Sequence, residues 1–279
     1  MTKKDLRIIT GWIFLFIIFA LIYLGGWWFC AFLLALIVFG MKELLQMFHH
    51  KDLQPSIVTA YLGCFLFMFL GGLGEIKYLH LASIFLFVCS FLAILRRGKN
   101  ARIRDIGATL IAIVYGGLLP SHFMFMRTMN AGTVDICGKD VSLALCFVVF
   151  VLVGVTATDA GAYFVGSKFG KHKLWEAISP NKTIEGSIGG ALITLALCLL
   201  LGYDFSMGLW QSLGAAILVT VFAQLGDLVE SMLKRDAGAK DASDILPGHG
   251  GFLDRADSYI FTAPILYYYF YYVVVNPVF

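Results

Sequence analysis

Long apolar runs separated by short polar stretches dominate the chain. They lie near residues 8–24, 26–41, 55–74, 79–95, 106–126, 141–165, 187–203, 208–229 and 258–275. A helix needs about 20 apolar residues to cross the hydrocarbon core of a bilayer. The pattern therefore predicts an all-α polytopic integral membrane protein of about nine transmembrane helices. The first run follows Lys3 and Lys4 as a signal peptide would. It lacks a small-residue cleavage site and leads at once into a second run, so it reads as a retained span.

Composition agrees. Of 279 residues, 59% are hydrophobic and 14% charged, and the mean hydropathy is +0.84. Soluble domains average roughly 45–50% apolar and about 25% charged. A soluble enzyme, a disordered regulator and a nucleic-acid-binding domain are thereby excluded. One transmembrane domain over 1–279 is expected, with 1–140 mainly scaffold and 141–279 carrying the chemistry. The net charge of +3 is too small to imply a polyanionic partner by itself, but the placement of the charges is informative. With the N-terminus in the cytoplasm, eighteen of the 21 basic residues fall in inside segments and only Lys77, Arg127 and Lys139 outside. That asymmetry is a positive-inside signal, and an odd span count puts the C-terminus outside. The cluster Arg96, Arg97, Lys99, Arg102 and Arg104 reads as a topology anchor beside anionic lipid, with a substrate site as the alternative. None of the six cysteines forms a C-x-x-C pair, which favours packing over a disulfide framework or metal site.

The N-terminal half looks almost purely lipid-like. From about residue 156 acids appear at the ends of apolar segments: Asp159, Glu185, Asp227, Glu230, Asp254 and Asp257. Each ionised group at mid-bilayer costs about 2.5–3.5 kcal/mol on the lenient insertion scale, so these acids must line a wet cavity, pair with Lys or Arg, or hold a cation. Asp227, Glu230, Ser231 and Lys234 follow helical spacing and form one polar stripe. Taken alone, that stripe is equally a hydrogen-bonded packing face. The stretch Lys240–Asp257 is too polar and glycine-rich to be a span: Pro247 and Gly248 break any helix, and Gly250-Gly251 lets backbone approach a ligand. Asp254 and Asp257 stand three apart at the start of the last helix, where the dipole favours carboxylates. With Asp227 at the same border, they suit magnesium, a hard cation that takes oxygen ligands and is often shared with substrate phosphates. Between spans six and seven, Asp159, Lys168, Lys171, Lys182, Thr183 and Glu185 stand among glycines that expose backbone amides, as a triphosphate requires. No G-x-x-x-x-G-K-[ST] run is present.

The run Ser231-x-Leu233-Lys234-Arg235-x4-Lys240-Asp241-x-Ser243-x2-Leu246-Pro247-x-His249-Gly250-Gly251-Phe252-x-Asp254-Arg255-x-Asp257 resembles the signature of the phosphatidate cytidylyltransferase (CDP-diacylglycerol synthase) family. Ser179-Pro180-x-Lys182-Thr183-x-Glu185-Gly186 and Asp159-x2-Ala162-Tyr163-x2-Gly166 resemble further blocks of it. Ala242, Ala256 and Asn181 depart from the usual pattern without removing a candidate ligand. The resemblance implies transfer of the cytidylyl group of CTP to phosphatidate, with magnesium as cofactor and potassium as a candidate second cation. By position it implies Asp227, Asp254 and Asp257 as metal ligands, and Lys240, Asp227, Asp254 and Lys182 as the catalytic set. Lys234, Arg235 and Arg255 are assigned to phosphate contacts, and Asp159 and Glu185 to the same cavity. His249 either bonds a phosphate or braces the loop.

The expected partners are thus CTP, phosphatidate and membrane lipid, with no nucleic acid. The expected location is a bacterial-type inner or plasma membrane, with the site on the cytoplasmic side. A homodimer would be unsurprising on this resemblance, although no interface motif is visible. A secondary transporter is the rival class, since broken helices with intramembrane acids are its hallmark. Transporters usually show two related halves, which are not evident here. A CDP-alcohol phosphotransferase would need a D-G-x2-A-R run, which is absent.

Overall fold

The computed structural model describes residues 17–239, 243 and 251–277. Most of it is helix: α1 (Gly26–His50), α2 (Ile57–Leu73), α3 (Leu79–Leu95), α4 (Ile103–Ile113), α5 (Leu119–Arg127), α6 (Leu143–Phe169), α7 (Ile184–Asp204), α8 (Leu209–Asp236) and α9 (Leu253–Tyr269). A π-helical turn, Val114–Leu118, joins α4 to α5, and a second, Phe270–Val275, extends α9. Among the described residues seven helices are long and apolar enough to cross a membrane, and α2 is a shorter apolar helix of 17 residues. Each of the eight apolar runs from 26–41 onward coincides with a helix. The run at 8–24 lies mostly outside the described residues.

Three helices outrun their apolar stretch. α1 continues to His50, α8 to Asp236, and α9 begins at Leu253. Hydropathy drops where charges begin, yet Leu, Met, Glu, Lys and Arg are all good helix formers. The polar stripe of α8 and the acids of α9 are therefore held on rigid helix.

Two small antiparallel hairpins depart from the all-helical expectation. β1 (Thr133–Ile136) pairs with β2 (Lys139–Ser142), and β3 (Lys173–Trp175) with β4 (Ser179–Thr183). The first turns through Cys137 and Gly138, both at positive φ (54° and 77°), as a tight two-residue hairpin loop requires. The second leads directly into α7, where the Thr183 hydroxyl caps the helix by accepting the Gly186 amide at 3.2 Å.

Glycines set how closely the C-terminal helices meet. A Cβ at Gly161 would stand 3.0 Å from the Gly190 Cα, and one at Gly190 would stand 2.6 Å from the Thr158 carbonyl. α6 and α7 thus cross backbone to backbone, as small residues permit in membrane bundles. The Thr158 and Thr194 hydroxyls bond across the crossing at 2.8 Å. Behind them the core is aromatic: Phe147 stacks on Phe270 with centroids 4.1 Å apart, and Phe150 meets Phe270 edge-on.

The N-terminal half is less purely apolar than its pattern indicates. Asp105 is fully buried; it accepts the Gln54 amide at 2.8 Å and faces Arg97 and Arg102 at 3.6 and 3.4 Å. Arg102 and Arg104 also bind Asp52 in the α1–α2 loop and hold its carboxyl below the ordinary carboxylate value. Three of the five cluster residues are therefore engaged in fastening loops.

A side chain at the α6–α7 crossing should force the helices apart. Gly190→Val is expected to lower unfolding stability in detergent by about 1–3 kcal/mol. Gly107→Ala, where a Cβ meets nothing within 4 Å, should stay within about 0.5 kcal/mol of wild type. Equal stability of the two variants would contradict the close crossing.

Candidate active site

The ends of four helices meet around one group of charges: the C-terminal ends of α6 and α8 and the N-terminal ends of α7 and α9. A cavity of about 470 Å³ opens there, lined by Asp159, Tyr163, Ser167, Asn181, Lys182, Thr183, Ser187, Gln224 and Asp227 among others. α6 contributes Asp159, β4 contributes Lys182, and α8 contributes Asp227.

Two lysines bridge the acids. Lys182 Nζ lies 2.5 Å from Asp227 Oδ2. Lys234 Nζ lies 2.5 Å from Glu230 Oε2 and 2.6 Å from Asp254 Oδ1. Lys234 and Asp254 are nearly buried, each with a side chain only 12% exposed, and Glu230 is fully buried. Such a pair holds in a low-dielectric setting only if both charges are kept together. Ser231 steadies Asp227 (Oγ to Oδ1, 3.3 Å), and the Gly251 amide donates to Asp254 Oδ2 at 2.8 Å. Asp257 accepts the Ser258 amide at 2.6 Å, while the Ser258 hydroxyl donates to Asp159 at 3.4 Å. Ser258 thus links Asp257 of α9 to Asp159 of α6. The approach of α8 to α9 is again set by a glycine: a Cβ at Gly226 would stand 2.5 Å from the Asp257 carbonyl oxygen.

The structure thus brings together Asp159, Lys182, Asp227, Lys234, Asp254 and Asp257, and adds Glu230, which the polar stripe contained without a role. Glu185 is turned elsewhere. Its carboxylate accepts the amides of Lys171 and His172 at 3.0 and 3.2 Å and contacts His172 Nδ1 at 2.5 Å. It fastens the loop after α6 to the start of α7. Arg235 is exposed and donates to the Ala239 carbonyl. Arg255 stands apart from the cavity, on the wall of a second groove of about 290 Å³ lined by Ile18, Phe29, Leu33, Phe123, Val148, Tyr259 and other apolar residues. α6, which contributes residues to both spaces, is tied to α9 by the Thr156–Tyr259 hydroxyl contact at 2.8 Å. Lys240 and His249 lie outside the described residues.

Among the described residues no three acid, histidine or cysteine side chains converge in a metal-ligating arrangement. The donor set nevertheless suits a hard cation. Asp227, Asp254 and Asp257 offer only carboxylate oxygens, and ammonium groups already stand beside Asp227 and Asp254.

Fold and site together define a polytopic helical membrane protein whose C-terminal helices gather acids, lysines and glycine-flanked amides, the equipment for handling phosphates. Residues 5–273 match the Cytidylyltransferase family, and the chain belongs to that family. It is similar to the phosphatidate cytidylyltransferase of Synechocystis sp., with 35% identity over 285 residues that cover 94% of each chain. It is similar also to those of Staphylococcus aureus (36% identity) and Staphylococcus saprophyticus (37%), each over 93% of this chain and 96% of the relative.

Gly226→Ala would push α9 from α8 and separate Asp227 from Asp254 and Asp257. Cytidylyltransferase activity is expected to fall at least about tenfold, with a stability loss of about 1–3 kcal/mol. Full activity in purified Gly226→Ala protein would show that this spacing is unimportant.

Proposed function

We propose that the chain transfers the cytidylyl group of CTP to phosphatidate, giving CDP-diacylglycerol and pyrophosphate. The observation that carries this reading is likeness along nearly the whole chain to relatives bearing the phosphatidate cytidylyltransferase name. The site supports it, because Lys182, Asp159 and Asp227 line one cavity between helix ends, with the Lys234–Asp254 pair joining α8 to α9.

Phosphatidate is already an anion at neutral pH, so no strong general base is needed. Its phosphate oxygen attacks the α-phosphorus of CTP, the bond to the β-phosphate breaks, and pyrophosphate leaves with that electron pair. The task is to bring two anions together and to stabilise the leaving group, which is positioning plus charge. Asp227, Asp254 and Asp257 would hold magnesium, which when bound would supply positive charge against the phosphate oxygens. Potassium is the candidate second cation. Lys182 and Lys234 take up phosphate oxygens, each from a resting pair with a carboxylate. Lys240 and Arg235 complete the polyphosphate contacts, with Asp159 on the cavity wall and Glu185 fixing the loop beside it. His249 braces the loop.

The second groove supports a place for the lipid. An apolar channel with one arginine on its wall matches an acyl chain ending in a phosphate, so Arg255 is assigned to the phosphatidate head group. The tails then enter sideways between helices without leaving the membrane. The charge asymmetry supports nine spans with the N-terminus and the site on the cytoplasmic side, where CTP is found. A homodimer is the assembly proposed. Residues 1–140 form the scaffold of the same single domain.

Purified Asp227→Asn and Asp254→Asn proteins should lose CTP-dependent lipid product formation by about 100-fold or more while still inserting in the membrane. Turnover near wild type in both would overturn the metal assignment. Lys240→Met should also lose most activity, and a rate within about threefold of wild type would argue against its phosphate contact.

A further inference from the structure

Glu43 lies on α1, in the half of the chain that the apolar pattern marks as scaffold, and it is fully buried. A carboxylate removed from water needs strong partners, and Glu43 finds them two hundred or more residues away. Its oxygens accept the amides of Phe252 at 3.0 Å and Leu253 at 2.8 Å. The Ser243 hydroxyl donates to the same carboxylate.

Phe252 and Leu253 open α9, a helix with no side-chain cap at its own N-cap position. The first amides of a helix have no partner within it, and the dipole there favours a negative charge. Glu43 supplies both the acceptor and the charge from another helix. The fit is tight. A Cβ on Gly251 would stand 2.7–2.9 Å from the Glu43 carboxylate atoms, so only glycine leaves room for it. The neighbouring Gly251 amide is then directed at Asp254 Oδ2, whose other oxygen meets Lys234. Packing of α1 on α9 does not depend on this charge. Phe39 stacks on Phe252 at 5.1 Å, and Gly40 faces Leu253.

We infer that Glu43 is a positioning residue for the transfer site: it holds Ser243 and the first amides of α9 at Phe252 and Leu253, packed against Gly251, and so fixes where Asp254 points. The inference rests on the cytidylyl-transfer reading of the site for its kinetic consequence, but not for its structural one. The helix amides that it engages can be followed without any substrate.

The test uses the full-length protein in lipid nanodiscs. In Glu43→Gln one acceptor oxygen becomes an NH2 donor facing other donors. Hydrogen–deuterium exchange in residues 251–256 should quicken at least about tenfold, while exchange in α7 stays unchanged. kcat should fall at least about tenfold and half-saturating magnesium should rise, with KM for phosphatidate within about threefold. Glu43→Asp should recover part of the rate. Gly251→Ala, which keeps Glu43 but displaces it, should reproduce the defect and decides the matter if Glu43→Gln does not fold. Unchanged exchange at 251–256, or activity lost only in proportion to folded protein, would overturn the inference. Absence of turnover in the wild type would instead count against the transfer reading, and the exchange data alone would then decide the role of Glu43.

Discussion

The structure depends on keeping charge neutralised inside an apolar bundle. An isolated carboxylate or ammonium cannot be carried into such an environment at tolerable cost. The buried charges described here are accordingly paired, most of them with a partner from a distant part of the chain. Lys182 on a hairpin meets Asp227 on α8, and Lys234 spans Glu230 and Asp254 across α8 and α9. Asp105 is held by arginines and a loop amide, and Glu43 by a helix N-terminus. These pairs tie distant segments together, and one of them, Lys182–Asp227, faces the cavity beside Asp159. The same constraint that shapes the fold therefore builds the site.

Close approach of backbones makes these pairings geometrically feasible. Gly161 against Gly190, Gly226 against Asp257 and Gly251 against Glu43 are three places where a methyl group would meet another atom at 3.0 Å or less. Each lies beside a residue assigned to the chemistry. Helices brought this close keep their acids within about a hydrogen bond of a fixed position, as a reaction governed by positioning requires.

Much of this was legible in the sequence, and the remainder was hidden for physical reasons. Eight apolar runs became helices because hydropathy over about 20 residues is a strong signal. The apolar runs alone stop short of Asp236 and Leu253, since hydropathy reports transfer to lipid and not helix formation; the helical spacing of the polar stripe and the acids at the start of the last helix carried the reading further. Asp227, Asp254 and Lys182 stood out as charges that an apolar chain does not tolerate idly, and the resemblance placed them in one site. Glu43 gave no such warning: it follows Lys42 just past the apolar run at 26–41, and its partners are 200 to 210 residues downstream. Glu185 looked like a cavity residue because it lies in a family block, yet its carboxylate points at Lys171 and His172. The Cys137-Gly138 turn went unread because its strands are four residues each, too short for an alternating pattern.

The central claim is that this chain joins the α-phosphate of CTP to a lipid phosphate. The most direct measurement follows two labels through the purified protein with phosphatidate and magnesium. A label on the α-phosphate of CTP should appear in a chloroform-soluble lipid, and a label on the γ-phosphate should appear only in water-soluble pyrophosphate. Both should vanish when phosphatidate or magnesium is omitted. Failure of the α-label to enter lipid, or entry of the γ-label, would contradict the account.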